Sequence, residues 1–171
     1  YELLREERYL KIARSCADFI LKDLEIMQED NGICIGYIPG SKAKIHNANM
    51  LGAALLARLY AISREEELLQ IAHQAIRYTL SHQREDGAWW YGEAPNLRWI
   101  DNFHTGYMLE ALHQYRSCTR DQTCEAALRR GLKFYLKHFI TDDGVPCYYH
   151  DKIYPVDIQC AAQSIVTLAV L

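Results

Sequence analysis

The sequence lacks the features that mark membrane and nucleic-acid-binding proteins. It has no run of about 20 apolar residues, the length of a membrane span, and no secretory signal pattern at its start. It also lacks excess positive charge, because 19 Lys and Arg stand against 22 Asp and Glu, for a net charge of −3. We therefore expect neither a membrane span nor a nucleic-acid partner.

The sequence also lacks a cysteine pattern for metal binding. Six cysteines are present, but none belongs to a CxxC pair or to a Cys/His set with zinc spacing. Most lie in apolar helical stretches, where Cys acts as a small hydrophobic residue. Cys118 and Cys124 flank a polar turn and could bridge, yet reduced thiols and a cytoplasmic location are favoured. We predict no metal and no other cofactor.

Neither end of the chain carries a typical helix boundary. Tyr1 begins an already helical pattern, and Leu171 ends an apolar run without a Gly, Lys or Arg stop signal. We expect residues 1–171 to form one domain that is truncated at both ends.

Two kinds of helix alternate along the chain. A 3.6-residue apolar period predicts three amphipathic helices with one solvent-facing side. Their apolar stripes are Tyr9, Ile12, Ala13, Cys16, Phe19, Ile20 and Leu24; Leu68, Ile71, Ala72, Ala75, Ile76 and Leu80; and Cys124, Ala127, Leu128, Leu132, Tyr135, Leu136 and Phe139. Residues 50–60, 106–115 and 158–171 are apolar on nearly all sides, which predicts helices buried on all sides.

The alternation has a fixed period, which indicates a repeat. Each outer helix is followed by an Asx-Gly turn, at Asn31-Gly32, Asp86-Gly87 and Asp143-Gly144. The predicted inner-helix starts Asn47, Asn102 and Asp157 are 55 residues apart, and Asn and Asp are preferred helix N-caps. The pattern predicts an all-α fold of helical-hairpin repeats, which form an (α/α) toroid or half of one.

Polar and aromatic residues gather where the inner helices begin. Three helix N-termini in one basin, each with a partial positive charge, suit an anionic or strongly hydrogen-bonding ligand. For Asn47, Asn102 and Asp157 we favour capping over direct catalysis. The candidate acid–base residues are Asp101, His104, Glu93 and Asp157. The candidate saccharide-binding residues are His46, Asn49, Trp89, Trp90, Trp99, Tyr149 and Gln159. Alternatively, the aromatic rings plug the end of the toroid and the histidines are structural.

Residues 45–53, 83–92, 99–106 and 148–159 resemble a toroid family encoded among polysaccharide-biosynthesis genes. The resemblance runs from about Ile33 to the carboxyl end. It implies an (α/α) barrel related to six-hairpin glycosidases and terpenoid-cyclase toroids. Six hairpins need about twice this chain, which implies a homodimer or a missing second half.

These features favour a carbohydrate-active protein of exopolysaccharide or cell-surface glycan metabolism that binds an acidic or amino-sugar chain. If it is an enzyme, hydrolysis, elimination and epimerisation are the plausible reactions. A non-catalytic helical-repeat scaffold is the main alternative. A terpenoid cyclase is a weaker alternative: Gln83, Gly87 and Trp89 resemble the triterpene-cyclase repeat, but the Asp-rich acid motif is absent from the sequence.

Overall fold

The computed structural model describes all residues from 1 to 171. In chain order its elements are α1 (Glu7–Lys22), β1 (Ile26–Glu29), β2 (Gly32–Ile35), α2 (His46–Ser63), α3 (Glu66–Ser81), α4 (Asn102–Thr119), α5 (Glu125–Phe139) and α6 (Ile158–Val170), with a short 3₁₀ turn at Pro95–Leu97.

The helices alternate between an outer and an inner position. The inner helices α2, α4 and α6 lie side by side, with α4 in the middle. Side-chain hydrogen bonds join α4 and α6, where Asn102 bonds Ser164 and Glu110 bonds Thr167. The predicted all-α architecture of helical hairpins is confirmed.

A small antiparallel ribbon that the sequence pattern did not predict follows α1. Strands β1 and β2 pair from Ile26–Ile35 to Glu29–Gly32, so the predicted turn at Asn31-Gly32 closes a β-hairpin. The ribbon packs against α3 through the buried side of β2. It belongs to the connection between α1 and α2 and leaves the helical layers intact.

The outer helices follow the predicted apolar stripes unequally. In α3 and α5 the stripes face the core, where Ala72, Ile76 and Tyr135 are almost fully buried. In α1 the prediction is partly wrong, since Ile12 is 60% exposed and Phe19 is 44% exposed. The reason is that α1 packs only lightly, against α2, at one edge of the structure.

The inner helices also differ in burial. Helices α2 and α4 are buried along most of their surface, as predicted. The prediction that α6 is buried on all sides is wrong, because Ile158 is 85% exposed and Ile165 is 71% exposed. In this chain α6 packs against α4 along one side, and its opposite apolar side faces outward.

The spacing of the inner helices corrects the predicted register of the repeat. Helices α2, α4 and α6 begin at His46, Asn102 and Ile158, which are 56 residues apart at each step rather than 55. The left-handed residues that end α2 and α4, Arg64 and Arg120, have the same spacing of 56. Two asparagines that are not structurally equivalent caused the error of one residue.

The predicted N-caps change accordingly. Asp157 precedes α6 and its side chain accepts an amide of the first turn, as predicted. Asn47 and Asn102 are not caps, because each lies inside the first helical turn. The residues in the cap position are Ile45, which has no capping side chain, and Asp101, which does cap.

All six cysteines are unpaired thiols in the structure. None of the helices combines the length and apolar character that a membrane-crossing segment requires.

The contact between α5 and the core requires a glycine. A Cβ atom at Gly131 would lie 2.8 Å from both the Trp89 ring and Leu109 Cδ2. We expect Gly131→Ala to lower the free energy of unfolding by about 1–3 kcal/mol, the usual range for overpacking. Gly52→Ala is the matched helical control, because the closest atom to its Cβ is the flexible tip of Ile35, at 3.1 Å. Urea unfolding of both variants checks the prediction, and equal losses would contradict it.

Candidate functional site

The connection between α3 and α4 crosses the start of α2. We call residues 88–101 the aromatic loop, since all three tryptophans of the chain lie in it. Ile45 and Gly92 form an antiparallel bridge, and the His46 amide donates to the Tyr91 carbonyl at 3.0 Å. These bonds fix the loop to the first residue of an inner helix.

The next connection repeats this arrangement at the start of α4. Asp101 and Tyr149 form an antiparallel bridge, and the Asn102 amide donates to the Tyr148 carbonyl at 2.9 Å. Amides in the first turn of a helix have no intrahelical acceptor. The loop of one repeat therefore supplies the acceptor for the inner helix before it.

Asp101 holds His104 by two hydrogen bonds. Asp101 Oδ1 accepts from the His104 amide at 2.9 Å, and Oδ2 contacts His104 Nδ1 at 2.7 Å. A third donor, Trp99 Nε1, reaches Oδ2 at 2.9 Å. A carboxylate only accepts, so Nδ1 of His104 carries the proton and Nε2 is left as an acceptor.

The free edge of His104 is accessible. Its side chain is 22% exposed, whereas that of Asp101 is 1% exposed. No protein group forms a hydrogen bond with His104 Nε2 within the described chain. A histidine whose Nδ1 is held by a carboxylate and whose Nε2 is free has the arrangement of a general base.

Aromatic rings surround this histidine. The Tyr91 ring stacks on Trp99 with centroids 4.3 Å apart and an interplanar angle of 14°. Tyr91 also lies 4.6 Å from the His104 ring, and Phe103 lies 4.3 Å from it on a buried side. Tyr91 and Trp99 are only partly buried, so flat apolar surface borders the free Nε2 atom.

Glu93 forms a second histidine–carboxylate pair in the same loop. Its Oε1 lies 2.6 Å from Nε2 of His46. Burial lowers the pKa of His46 more than the neighbouring carboxylate raises it. The hydrogen bond from His46 lowers the pKa of the Glu93 carboxyl, against the effect of burial. The pair is therefore a neutral histidine and an ionised carboxylate at neutral pH.

Two of the predicted saccharide-binding residues are buried in hydrogen-bond networks. The His46 side chain is 1% exposed, and Asn49 is fully buried. Asn49 accepts from the Ile35 amide and donates to the Ala75 carbonyl. The polar atoms of both residues are thus bonded inside the protein, and in this structure neither side chain reaches the surface.

The three tryptophans have different environments. Trp89 is 2% exposed and its Nε1 donates to the Thr79 carbonyl at 2.8 Å. It therefore belongs to the core. Trp90 lies under the Arg84 guanidinium, 4.3 Å from its ring centroid. Only Trp99 contacts the Asp101–His104 pair.

The third repeat contributes polar groups at the edge of this region. Gln159 Nε2 donates to the Tyr107 hydroxyl at 3.3 Å, and Tyr107 lies 6.2 Å from the His104 ring. The Tyr149 ring packs at a tilt against Tyr148, with centroids 4.6 Å apart. Among the described contacts Asp157 bonds only the first turn of α6. Gln159 is thus linked to the region around His104, and Asp157 acts there as a cap.

The repeat register shows why only one unit carries the histidine. The capping position and the position three residues later are Ile45 and Ala48 in the first unit, Asp101 and His104 in the second, and Asp157 and Cys160 in the third. Tyr91 and Tyr107 complete the surroundings of His104 but were not among the predicted site residues. Their signals were the aromatic loop and the i+3 position on α4.

The site is partly open to solvent, since the side chains of His104 and Glu93 are 22% and 26% exposed. The apolar cleft between α1 and α2 is lined by other residues. No group of three or more His, Cys, Asp or Glu side chains has the geometry to hold a metal ion.

Known structures share this fold. No protein-family profile matches the chain, and no curated protein matches it. A GH76 α-mannanase of Bacteroides thetaiotaomicron superposes with a TM-score of 0.75 at 16% identity, over 99% of this chain and 47% of that one. Cellobiose 2-epimerase of Bacillus thermoamylovorans superposes with a TM-score of 0.74 at 18% identity, over 99% and 51%.

A third structure, Dfg5 of Chaetomium thermophilum in complex with glucosamine, superposes with a TM-score of 0.57 at 16% identity, over 81% of this chain and 39% of that one. The chain thus spans about half the length, or less, of the proteins it resembles. At these identities the likeness establishes the fold alone, which is that of an (α/α) toroid.

Proposed function

We propose that the chain is carbohydrate-active and binds a saccharide across Tyr91, Trp99 and His104. The observation that carries the proposal is the free Nε2 atom of His104, which Asp101 orients and which borders the stacked Tyr91–Trp99 rings. Flat aromatic faces next to polar groups suit a sugar ring, which has one apolar face and a hydroxyl edge.

The names of the structural neighbours support this class of ligand. One is a mannanase, one is a cellobiose epimerase, and one was determined with glucosamine. An acidic or amino-sugar unit of a cell-surface glycan or exopolysaccharide is the ligand we propose. A terpenoid cyclase would need a closed apolar cavity, whereas Glu93 and His104 lie on a polar face that is open to solvent.

The geometry favours proton transfer over hydrolysis. Hydrolysis by a carboxylate pair needs two carboxyl groups free to reach the glycosidic bond, but Asp101 is buried and holds three donors. His104 Nε2 can instead take a proton from a sugar carbon next to a carbonyl or carboxylate, which leaves an enolate. Delivery of a solvent proton to the opposite face gives an epimer, and His104 releases the proton it took to solvent. Alternatively, loss of a β-oxygen substituent, which leaves with a proton from water, gives an unsaturated sugar.

Replacement of His104 tests the proposed base. In His104→Gln the amide nitrogen can still donate to Asp101, but no basic atom remains. We expect solvent-deuterium incorporation into uronic-acid or amino-sugar oligosaccharides to fall at least about 100-fold, the usual contribution of general-base catalysis. Proton NMR in D₂O measures the exchange.

His113→Asn on the same helix is the control, and we expect it to keep the wild-type rate. If the wild type neither binds nor exchanges any of these sugars, or if His104→Gln is as active as wild type, the proposed function is wrong. Binding that persists without exchange in the wild type would favour the non-catalytic helical-repeat protein instead.

The exposed apolar side of α6 suggests how the ring is completed. We propose that a second copy of this chain covers it, so that two sets of three hairpins form one ring. The apolar residues Ile158, Ile165 and Leu168 are exposed on α6, and Ile12 and Leu51 are exposed at the other end, on α1 and α2. The similar toroids are about twice as long.

A charge on α6 tests this association. We expect the 171-residue chain to sediment as a dimer and Ile165→Glu to weaken the dimer at least 10-fold, because it places a charge in an apolar interface. Leu136→Glu is the control, because Leu136 is a comparable exposed apolar residue, 47% exposed, on the outer helix α5. A monomeric wild type, or equal effects of both substitutions, would overturn the proposal.

A further inference from the structure

The two histidine–carboxylate pairs differ in which member is accessible to solvent. In Asp101–His104 the carboxylate is buried, at 1% side-chain exposure, and the histidine is partly accessible at 22%. In His46–Glu93 the histidine is buried, at 1%, and the carboxylate is accessible at 26%. The group that can meet a ligand is therefore a histidine in one pair and a carboxylate in the other.

A chain of buried hydrogen bonds fixes the direction of the second pair. It begins at the Ile35 amide, which can only donate and bonds Asn49 Oδ1 at 2.9 Å. Asn49 Nδ2 must then donate, and it bonds Thr79 Oγ1 at 2.9 Å. Thr79 Oγ1 lies 3.3 Å from His46 Nδ1. Glu93 can only accept at His46 Nε2, 2.6 Å away, so neutral His46 carries its proton on Nε2 and accepts from Thr79 at Nδ1.

Every member of this chain before Glu93 is shielded from water. Asn49 and Thr79 are fully buried, and His46 is 1% exposed. A buried polar group that loses its partner costs about 1–3 kcal/mol. The chain of bonds therefore has one stable orientation, in which it ends on the carboxylate.

Other charged and titratable groups also surround the pair. Burial and nearby carboxylates raise the pKa of Tyr78, whose ring stacks on His46 at 5.6 Å. His82 and Arg98 both lower the pKa of Glu93, after the larger effect of His46. The remaining groups on the neighbouring elements are Cys34, Glu29 and Lys44, the last two joined in an ion pair of 2.6 Å.

Tyr91 contacts a histidine of each pair. The Tyr91 carbonyl accepts from the His46 amide, and the Tyr91 ring packs 4.6 Å from the His104 ring. Glu93 follows Tyr91 by two positions in the aromatic loop. A ligand seated on the Tyr91 ring would therefore have the His104 ring beside it, and Glu93 two residues further along the same loop.

We propose that Glu93 is a second ligand-contacting group, an acceptor for a saccharide hydroxyl, and that His46, Thr79 and Asn49 are positioning residues that direct it. This inference rests on the proposed saccharide site. Its physical basis is the directed hydrogen-bond chain, in which a neutral histidine holds an ionised carboxylate by one oxygen and leaves the other toward solvent.

Substitution at Thr79 separates positioning from packing. Thr79→Val keeps the shape of the side chain and removes its hydroxyl, whereas Thr79→Ser keeps the hydroxyl and removes a methyl group. In the ligand-free wild type we expect ¹⁵N NMR to show His46 as the neutral Nε2–H tautomer from pH 6 to 8, and ¹³C NMR to show a Glu93 pKa below its ordinary value of about 4.3.

We expect Thr79→Val to mix the two tautomers of His46 and to raise the Glu93 pKa toward its ordinary value. Thr79→Ser should keep the wild-type tautomer and the wild-type Glu93 pKa. If His46 is the Nδ1–H tautomer in the wild type, or if Thr79→Val and Thr79→Ser behave alike, the directed chain is absent and the inference is wrong.

A pH series of stability gives a second, ligand-free measurement. Because the folded pKa of His46 lies below its ordinary value of about 6.5, the unfolded chain binds more protons once the pH falls below about 6.5. The free energy of unfolding therefore decreases as the pH falls through this window. We expect His46→Gln to reduce that slope, and an unchanged slope would contradict the buried neutral state.

The contact with the ligand is tested by sugar binding. We expect Glu93→Gln to bind about 10- to 100-fold more weakly than wild type, the effect of removing a charged hydrogen bond. Thr79→Val should move the acid limb of the binding profile to higher pH, and Thr79→Ser should not. If the wild type binds sugar and Glu93→Gln binds it equally well, the proposed contact between Glu93 and the sugar is wrong. Absence of binding by the wild type overturns the proposed function, and the NMR measurements still decide the hydrogen-bond chain.

Discussion

The structure depends on the junction between each inner helix and the loop of the following repeat. The free amides at a buried helix start require acceptors, because burying them unpaired is costly. The Tyr91 and Tyr148 carbonyls supply acceptors to His46 and Asn102. Since these two loops carry the aromatic residues, the bonds that stabilise the helix starts also place the rings against the polar side chains of those starts.

The side chains at these junctions follow the same rule. His46 and Asn102 occupy equivalent first positions and bond Thr79 and Tyr135, which lie 56 residues apart on successive outer helices. Equivalent positions of the two units are thus in contact but carry different side chains. In the first unit the contacts end on the accessible carboxylate Glu93, and in the second they continue to Ser164 within the core.

The sequence predicted the order and pairing of the helices, since apolar periodicity and Asx-Gly turns are local signals. The predicted register is wrong by one residue because Asn47 and Asn102 occupy different positions in the first turn of their helices. The burial of Trp89 was not predicted, because composition does not say which way a ring points. The ring fits in the core because Gly131 leaves room for it. Capping and catalysis were weighed as alternatives, yet Asp101 caps α4 and orients His104 with the same carboxylate.

Asp101 both caps α4 and orients His104. The candidate site therefore forms from residues close in sequence, whereas its shielding from solvent does not. A capping carboxylate places the side chain three residues later beside it, so a histidine at that position acquires a fixed tautomer with no further element. The groups that handle protons in our proposal come from α2, α3, α4 and the aromatic loop. Histidine–carboxylate pairs are stronger in low-dielectric surroundings. The open face of this chain provides such surroundings only in part. In our proposal the acid–base groups are therefore set by bonds within the first two repeats, whereas the hairpins of a second copy would exclude water from a bound sugar.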